Sequence, residues 1–406
     1  MPFLKQHKKC MHKIIFLNQM AGPLFRELAE DLSQTWAPSL LYTGHPDTIR
    51  LGSPSDKLDV LKGPIHNRKN FFSRMISWLS YFFRSLILIG SGSKHSVLLI
   101  VSNPPFLGFW GAFFKLTRNQ RYAILVYDIY PDLLINTGRI SNGLIAYVWR
   151  KLNRFVFKHA DMLFTIGQDM AFRLEREMNA GNTKKRDGVV WVWPWADVEK
   201  IQPMPKENNY FAQKYGMIGK TIVLYSGNMG LTHDIEMIVR AAKHLESVKG
   251  LLFVFIGEGA KYSWLENLKS KEKMENILLL PFQPEHVLPF SMASADIGIS
   301  AYEKGAEGCI LPSKTFYYMA AGVAPLIISS IETDLTEIVE SRECGLWVKS
   351  KDDVSLVESI LELHNDPARL KRMKINARKA AENNCSRKNS AKFEHAFKKI
   401  MEQVIH

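Results

Sequence analysis

The chain has 406 residues, of which 46% are hydrophobic and 23% charged, with a formal net charge of +13. That length exceeds what one core usually serves and predicts two domains, while the composition excludes wholesale disorder. Cys10, Cys309, Cys344 and Cys385 show neither CxxC spacing nor a histidine at metal-ligand spacing, which argues against a disulfide framework or a zinc site and for a reducing cytoplasm. Lys5, Lys8 and Lys9 precede an apolar run at 14–17 that is too short for the core of a signal peptide and reads as a first strand. Further short apolar runs at 40–42, 97–101, 123–127, 162–165 and 189–192 alternate with helix-like segments. Such uninterrupted runs suit strands buried on both faces, and hence a parallel sheet with helices on either side.

Residues 68–89 (RKNFFSRMISWLSYFFRSLILI) mix aromatic, aliphatic and basic side chains without a carboxylate. That is the composition of a helix lying in a lipid interface, and Arg74 and Arg84 interrupt it too often for it to span. The excess positive charge suits an anionic membrane surface; nucleic acid would account for the charge but not for the nucleotide-fold loops below. The segment 106–114 (FLGFWGAFF) reads as a buried helix or a second lipid contact.

A polar stretch with two prolines, 200–209 (KIQPMPKENN), interrupts the alternation, and the domain junction is placed there: residues 1–202, then 203–387. The second series of apolar runs is 222–225, 252–256, 277–280, 297–299, 326–328 and 346–348. Two doubly wound α/β domains in tandem set the carboxyl ends of both sheets around a shared cleft, where loops bind ligand. Phe393, Phe397, Ile400, Met401 and Val404 recur at helical spacing in the last segment, 388–406, predicting an amphipathic helix that covers another surface.

The loops carry the chemistry. Residues 305–322 (GAEGCILPSKTFYYMAAG) read as a phosphate-binding loop: amides of Gly308, Cys309 and Ile310 face an anion, a helix starting near Ser313 adds its positive end, and Lys314 supplies a full charge. After the strand at 222–225, Gly227 and Gly230 let a diphosphate approach the backbone, with Asn228 and His233 as donors. Gly257 and Glu258 form a second Gly-rich turn, and Phe282 and Gln283 sit where a nucleobase could lie. In the first domain Asp128 ends a strand and can orient an acceptor hydroxyl, while Asn18 and Gly22 belong to a loop facing the cleft.

Taken together, the turn at 222–230, GEG at 257–259, PFQPEHVLPFSMASADIGIS at 281–300 and PSKTFYYMAAG at 312–322 resemble the retaining glycosyltransferases of family 4. Asn18-Gln19, the SNPP segment at 102–105, DIYPD at 128–132, HAD at 159–161 and WPWAD at 193–197 resemble that family's bacterial surface-polysaccharide branch, so the likeness covers nearly the whole chain. The resemblance implies a GT-B architecture, with a nucleotide-sugar donor held by the C-terminal domain and a saccharide acceptor, lipid-linked in this branch, held by the N-terminal one. It implies neither cofactor nor metal, a terminal helix returning to the N-terminal domain, and work at the inner face of the cytoplasmic membrane. Where many members carry two glutamates eight residues apart, this chain has Cys309 and Tyr317, with Glu307 nearby; Tyr317 can donate to a ribose hydroxyl but cannot accept two bonds as a carboxylate does. The departures leave open a catalytically weak partner protein, or an epimerase on the same fold.

Overall fold

A computed structural model of the chain describes residues 12–67, 71–179, 188–230 and 233–405. It divides into two compact units, Met1–Val192 with Lys388–His406, and Trp193–Arg387. Cys10 and residues 68–70 of the basic aromatic segment lie outside the described residues.

The first unit is built on seven strands: β1 (Ile14–Leu17), β2 (Ser39–Thr43), β3 (Leu58–Lys62), β4 (Val97–Val101), β5 (Tyr122–Val126), β6 (Met162–Thr165) and β7 (Val190–Trp191). They pair in the order β3-β2-β1-β4-β5-β6-β7, every pair parallel. The strand at 58–62 is absent from the sequence reading for a physical reason. It lies at the sheet edge, and four of its five residues, Asp59 to Lys62, are only partly buried or exposed, so it lacks the apolar run that marks a strand covered on both faces. The helix Ser390–Ile405 packs on this unit through Phe393 and Phe397, whose rings lie 4.8 and 5.9 Å from Phe164, and through Trp36 at 6.0 Å from Phe397.

The second unit has six parallel strands, β8 (Thr221–Ser226), β9 (Leu251–Ile256), β10 (Ile277–Leu280), β11 (Ile297–Ala301), β12 (Ala324–Ser329) and β13 (Leu346–Lys349), in the order β10-β9-β8-β11-β12-β13. Both sheets therefore reverse direction once, between β1 and β4 and between β8 and β11. At such a point neighbouring loops leave on opposite faces and a crevice opens at the strands' carboxyl ends. The division between units falls ahead of the proline-rich stretch that marked it in the sequence. Trp195 is fully buried, Ala196 N–H donates to Cys385 O at 3.2 Å, and Arg378 donates to Val198 O and Ile201 O, so WPWAD is part of the second unit's interior.

One side chain secures the crevice of the second unit. β8 and β11 are in register only at Ile297 with Val223 and Gly298 with Leu224, so beyond Leu224 the strands diverge and Ser226 has no ladder partner on that side. The helix Lys314–Ala320 sends Tyr318 into the gap: its hydroxyl accepts from Ser226 N–H at 2.9 Å and lies 3.3 Å from Leu224 O. The ring covers Gly298, where a Cβ would come within 2.5 Å of it. Gly322, at φ +66°, then ends the helix, its neighbour Val323 donating to Tyr318 O at 2.9 Å. Tyr318→Phe removes the buried acceptor of Ser226 and is expected to lower stability by about 1–3 kcal/mol; a urea midpoint equal to that of the parent chain would show that the amide is satisfied elsewhere.

Candidate functional site

In the second unit the loops after β8, β9 and β10 are stepped into one another. Gly227 N–H donates to Ile256 O at 2.9 Å and Gly257 N–H donates to Leu280 O at 3.1 Å, so each loop begins by bonding to the last residue of the next strand. Met229 N–H then donates to Glu258 O at 2.7 Å and Lys261 N–H to Met229 O at 3.0 Å. This closeness demands glycine. A Cβ on Gly257 would lie 1.9 Å from Gly227 O, and one on Gly259 would lie 2.6 Å from Asn228 Oδ1, at φ values of +154° and +136°. The primary task of the glycine at 257 is thus loop-to-loop approach, and the Glu258 side chain is left exposed.

Asn228 and His233 converge above Gly230, where a Cβ would meet Asn228 Nδ2 at 2.9 Å and His233 Nδ1 at 3.4 Å. The backbone of His233 is held by its N–H to Gly230 O at 3.2 Å and by Lys261 Nζ donating to His233 O at 2.6 Å. Asp234 caps the helix Ile235–His244 by accepting from Met237 N–H at 3.1 Å.

Lys314 projects toward the same place. It stands one turn before Tyr318, so the residue that fixes the helix also aims the lysine. Its ammonium is enclosed, has no hydrogen-bond partner among the described residues, and lies 3.6 Å from the centroid of the Tyr225 ring and 3.6 Å from the point where a Cβ on Gly227 would stand. Burial without a compensating anion pushes its pKa down to about 7. The Tyr225 hydroxyl donates to Asn228 O at 2.9 Å, so the ring beneath the cation is tied to the 227–230 turn. In sequence Tyr225 looks like one more core residue of a strand; its only signal is the position immediately before Ser226 and Gly227.

The rest of the 305–322 loop departs from the expected anion cradle. Cys309 N–H and Ile310 N–H both donate to Ala306 O, at 3.0 and 3.3 Å, and Thr315 N–H and Phe316 N–H donate to Pro312 O and Ser313 O, at 3.2 and 3.1 Å. A nearby carbonyl has taken the amides that a ligand would need, which leaves Gly308, at φ +69°, as the member of that trio whose amide is not committed to Ala306. The helix is only seven residues long, so its dipole adds little. Cys309 is fully buried, and Glu307 is a staple: its carboxylate accepts from Gly305 N–H and Ser330 N–H, both at 2.7 Å, joining the loop to the end of β12. Glu307 is therefore not placed to replace a ribose-binding glutamate. Tyr317 is half-buried on the same helix. Phe282 is 64% exposed at the outer edge, next to the Gly257 turn, and Gln283 Nε2 donates to Pro281 O at 2.7 Å within its own loop.

In the first unit, Asn18 Oδ1 accepts from Met20 N–H at 2.9 Å and shapes the turn after β1. Gly22 caps the helix Pro23–Thr35 at φ −74°, and a Cβ there would meet only His45 Nε2 at 3.9 Å, so contact does not demand a glycine. Asp128 borders a cavity of about 230 Å³ walled by Phe106, Ile129, Tyr130, Trp149 and Asn153. Among the described residues its carboxylate has no hydrogen bond or ion pair, and burial pushes its pKa up to about 6. Asp132, by contrast, is neutralised by Arg150, whose Nε donates to it at 3.0 Å. Of the two acids on this loop, only Asp128 is left for a ligand.

Comparison with known proteins gives this arrangement a setting. Residues 211–380 match the family model of the glycosyl transferases group 1. The chain is 26% identical over 319 residues to the probable glycosyltransferase WbjE of Pseudomonas aeruginosa, covering 78% of each protein, and 24% identical over 261 residues to the putative colanic acid biosynthesis glycosyl transferase WcaI of Escherichia coli, covering 61% of this chain and 62% of that one. Among solved structures, Anabaena HepE in complex with UDP superposes at a TM-score of 0.70 with 13% identity, over 95% of this chain and 100% of that one. WaaG, a glycosyltransferase involved in lipopolysaccharide biosynthesis, superposes at 0.69 with 13% identity, over 94% and 98%. The fold is therefore that of the GT-B enzymes, and the stretch that matches the glycosyl transferases group 1, residues 211–380, lies within the second unit.

Proposed function

We propose that the chain is a retaining, metal-independent hexosyltransferase that moves a sugar from a nucleoside-diphosphate donor to a lipid-linked saccharide during bacterial surface-polysaccharide assembly. The observation that carries this reading is the ammonium of Lys314, enclosed and unpaired beside Tyr225 and Gly227 at the β8–β11 reversal. A buried cation without a counter-ion is costly, and a diphosphate seated beside the Gly227 turn would neutralise it. The similar proteins support the two ends of the reaction: HepE was solved with UDP and with UDP-glucose, WcaI is a putative colanic acid biosynthesis glycosyl transferase, and WaaG is involved in lipopolysaccharide biosynthesis.

In this reading the acceptor hydroxyl attacks the anomeric carbon from the face that the diphosphate leaves. The carbon–phosphate-oxygen bond breaks, the new glycosidic bond forms, and the departing oxygen takes the hydroxyl proton, so no protein nucleophile is required. Lys314, Asn228 and His233 match the negative charge growing on the diphosphate, Tyr317 takes the ribose in place of a carboxylate, and Phe282 lies against the base. Asp128 accepts from the acceptor hydroxyl and orients it. Action on a lipid-linked acceptor places the protein at the inner face of the cytoplasmic membrane. The helix Phe71–Ser91 supports that placement, since its Phe72, Ile76, Leu79, Phe83 and Ile87 form one exposed stripe on a helix that also carries Arg74 and Arg84. Cys309 and Tyr317 at the paired-glutamate positions favour a second reading, a binding subunit without turnover.

UDP or another nucleoside diphosphate is expected to raise the melting temperature with increasing concentration, and Lys314→Met to lower kcat by about a hundredfold or more; turnover near that of the parent would remove Lys314 from this role. The folded-state pKa of Lys314 lies below its unfolded value, so the cost of burying its charge is fully present below pH 7 and fades as pH rises toward the unfolded value. Without ligand, Lys314→Met is thus expected to melt above the parent chain at pH 6 and to lose that advantage by pH 10. The reverse trend would place the ammonium in a solvated or paired site. Asp128→Asn is expected to slow transfer while leaving nucleotide stabilisation intact, and unchanged transfer kinetics would leave Asp128 without a part in orienting the acceptor.

A further inference from the structure

Three helices of the first unit, Phe71–Ser91, Gly108–Arg118 and Leu144–His159, follow crossovers that all run the same way across the sheet: β3 to β4, β4 to β5 and β5 to β6. Right-handed connections place them side by side on one face. Trp110 Nε1 donates to Phe82 O at 2.9 Å and joins the first helix to the second; the rings of Phe106 and Trp149, 4.9 Å apart, join the second segment to the third. The outer surface of this layer is unusually apolar. Sixteen of the twenty-six large hydrophobic residues exposed among the described residues lie in 71–91, 106–118 and 144–159.

The helix Leu144–His159 differs from its neighbours in charge. Leu144 and Ile145, 77% and 79% exposed, open it after the turn that contains Gly138 and Gly143; Val148, Leu152 and Phe155 continue the exposed stripe, and Ala146, Val156 and Phe157 face inward. Arg139, Arg150, Lys151, Arg154 and Lys158 accompany it, without a single carboxylate from 133 to 160. Across residues 60–160 there are fourteen lysines and arginines against two carboxylates, so nearly all of the net charge of +13 resides in this part of the chain. Lys151 Nζ lies 5.3 Å from the Tyr147 ring, an aromatic body with a cationic tip of the kind that suits a headgroup layer.

We propose that Leu144–His159 is the anchor by which the protein seats on an anionic bilayer: Leu144 and Ile145 enter below the headgroups while Arg139, Lys151 and Lys158 hold lipid phosphates. Charge selects this occupant, because a second copy would bring the same positive face against itself, whereas an anionic lipid surface complements it. The seat lies in the interface plane, since no helix among the described residues is long and apolar enough to cross a membrane. The inference rests on the membrane part of the proposed function and not on its transfer chemistry.

The test is co-sedimentation of the full chain with vesicles of phosphatidylcholine alone or mixed with phosphatidylglycerol, at low and high salt. Expected is binding to the phosphatidylglycerol vesicles that weakens with salt, about tenfold weaker or more in a Leu144→Glu, Ile145→Glu double variant, and with reduced salt sensitivity in Lys151→Glu, Lys158→Glu. A Phe72→Glu, Ile76→Glu variant, which alters the neighbouring stripe, serves as comparator and is expected to lose less binding than the 144/145 variant; a cooperative thermal melt without ligand reports that each variant is folded. Parent-like binding by the 144/145 variant alongside loss in the 72/76 variant overturns the proposal. Equal binding to both vesicle types overturns it, and so does lipid-free self-association abolished by the 144/145 changes. Anionic-vesicle binding that is lost in the 144/145 variant supports the anchor even if nucleotides fail to stabilise the chain, a failure that strikes the transferase reading alone.

Discussion

The gap between β8 and β11 makes a demand that the sheet cannot meet. Ser226 N–H is buried where the ladder has ended, and a buried amide without an acceptor is expensive. Tyr318 meets it with a hydroxyl at 2.9 Å, and much else follows from that bond. Because the tyrosine is on a short helix, the helix is fixed against the reversal point; because Lys314 lies one turn earlier, its ammonium is directed over Tyr225 and beside Gly227. A hydrogen bond whose origin is structural thereby sets the position of the chain's most exceptional charge.

The same economy explains which parts of the site could be read in the primary sequence. The turns at Gly227 and Gly257 and the helix that Lys314 opens were legible as structure because glycine after an apolar strand, and a lysine ahead of a helical run, leave local patterns. Tyr225 and Tyr318 were not, since an aromatic in an apolar run looks the same whether it fills a core or props a crevice. The amides of Cys309 and Ile310 failed as anion donors because Ala306 O competes for them at 3.0 and 3.3 Å, a competition that residue types do not reveal. Glu307 failed as a ribose ligand because two backbone amides hold it.

Fold class was easier to read than boundaries. Doubly buried strands such as VLLIV at 97–101 announce themselves, whereas LDVLK at 58–62 is an edge strand with a wet side, and its alternation is weak. The division between units was displaced for a related reason. Prolines at 203 and 205 mark a break in regular structure, but the tryptophan of WPWAD is already buried in the second unit, and burial, not punctuation, decides where a unit begins. The exposed face of Leu144–His159 escaped notice because its apolar residues are spread at helical spacing among cations, a pattern that also serves an ordinary amphipathic helix turned inward.

The stepped loops at 227–230 and 257–259 have a consequence for how such a protein diversifies. With backbone standing 1.9 Å from the place of a methyl group on Gly257, and Asn228 Oδ1 2.6 Å from one on Gly259, these two positions have no freedom to accept a side chain, so the path of the backbone through both loops is frozen. The Phe282 loop on the outside carries no such restraint. Variation among descendants of this sequence should therefore collect in the outer loop while the two glycines stay the same.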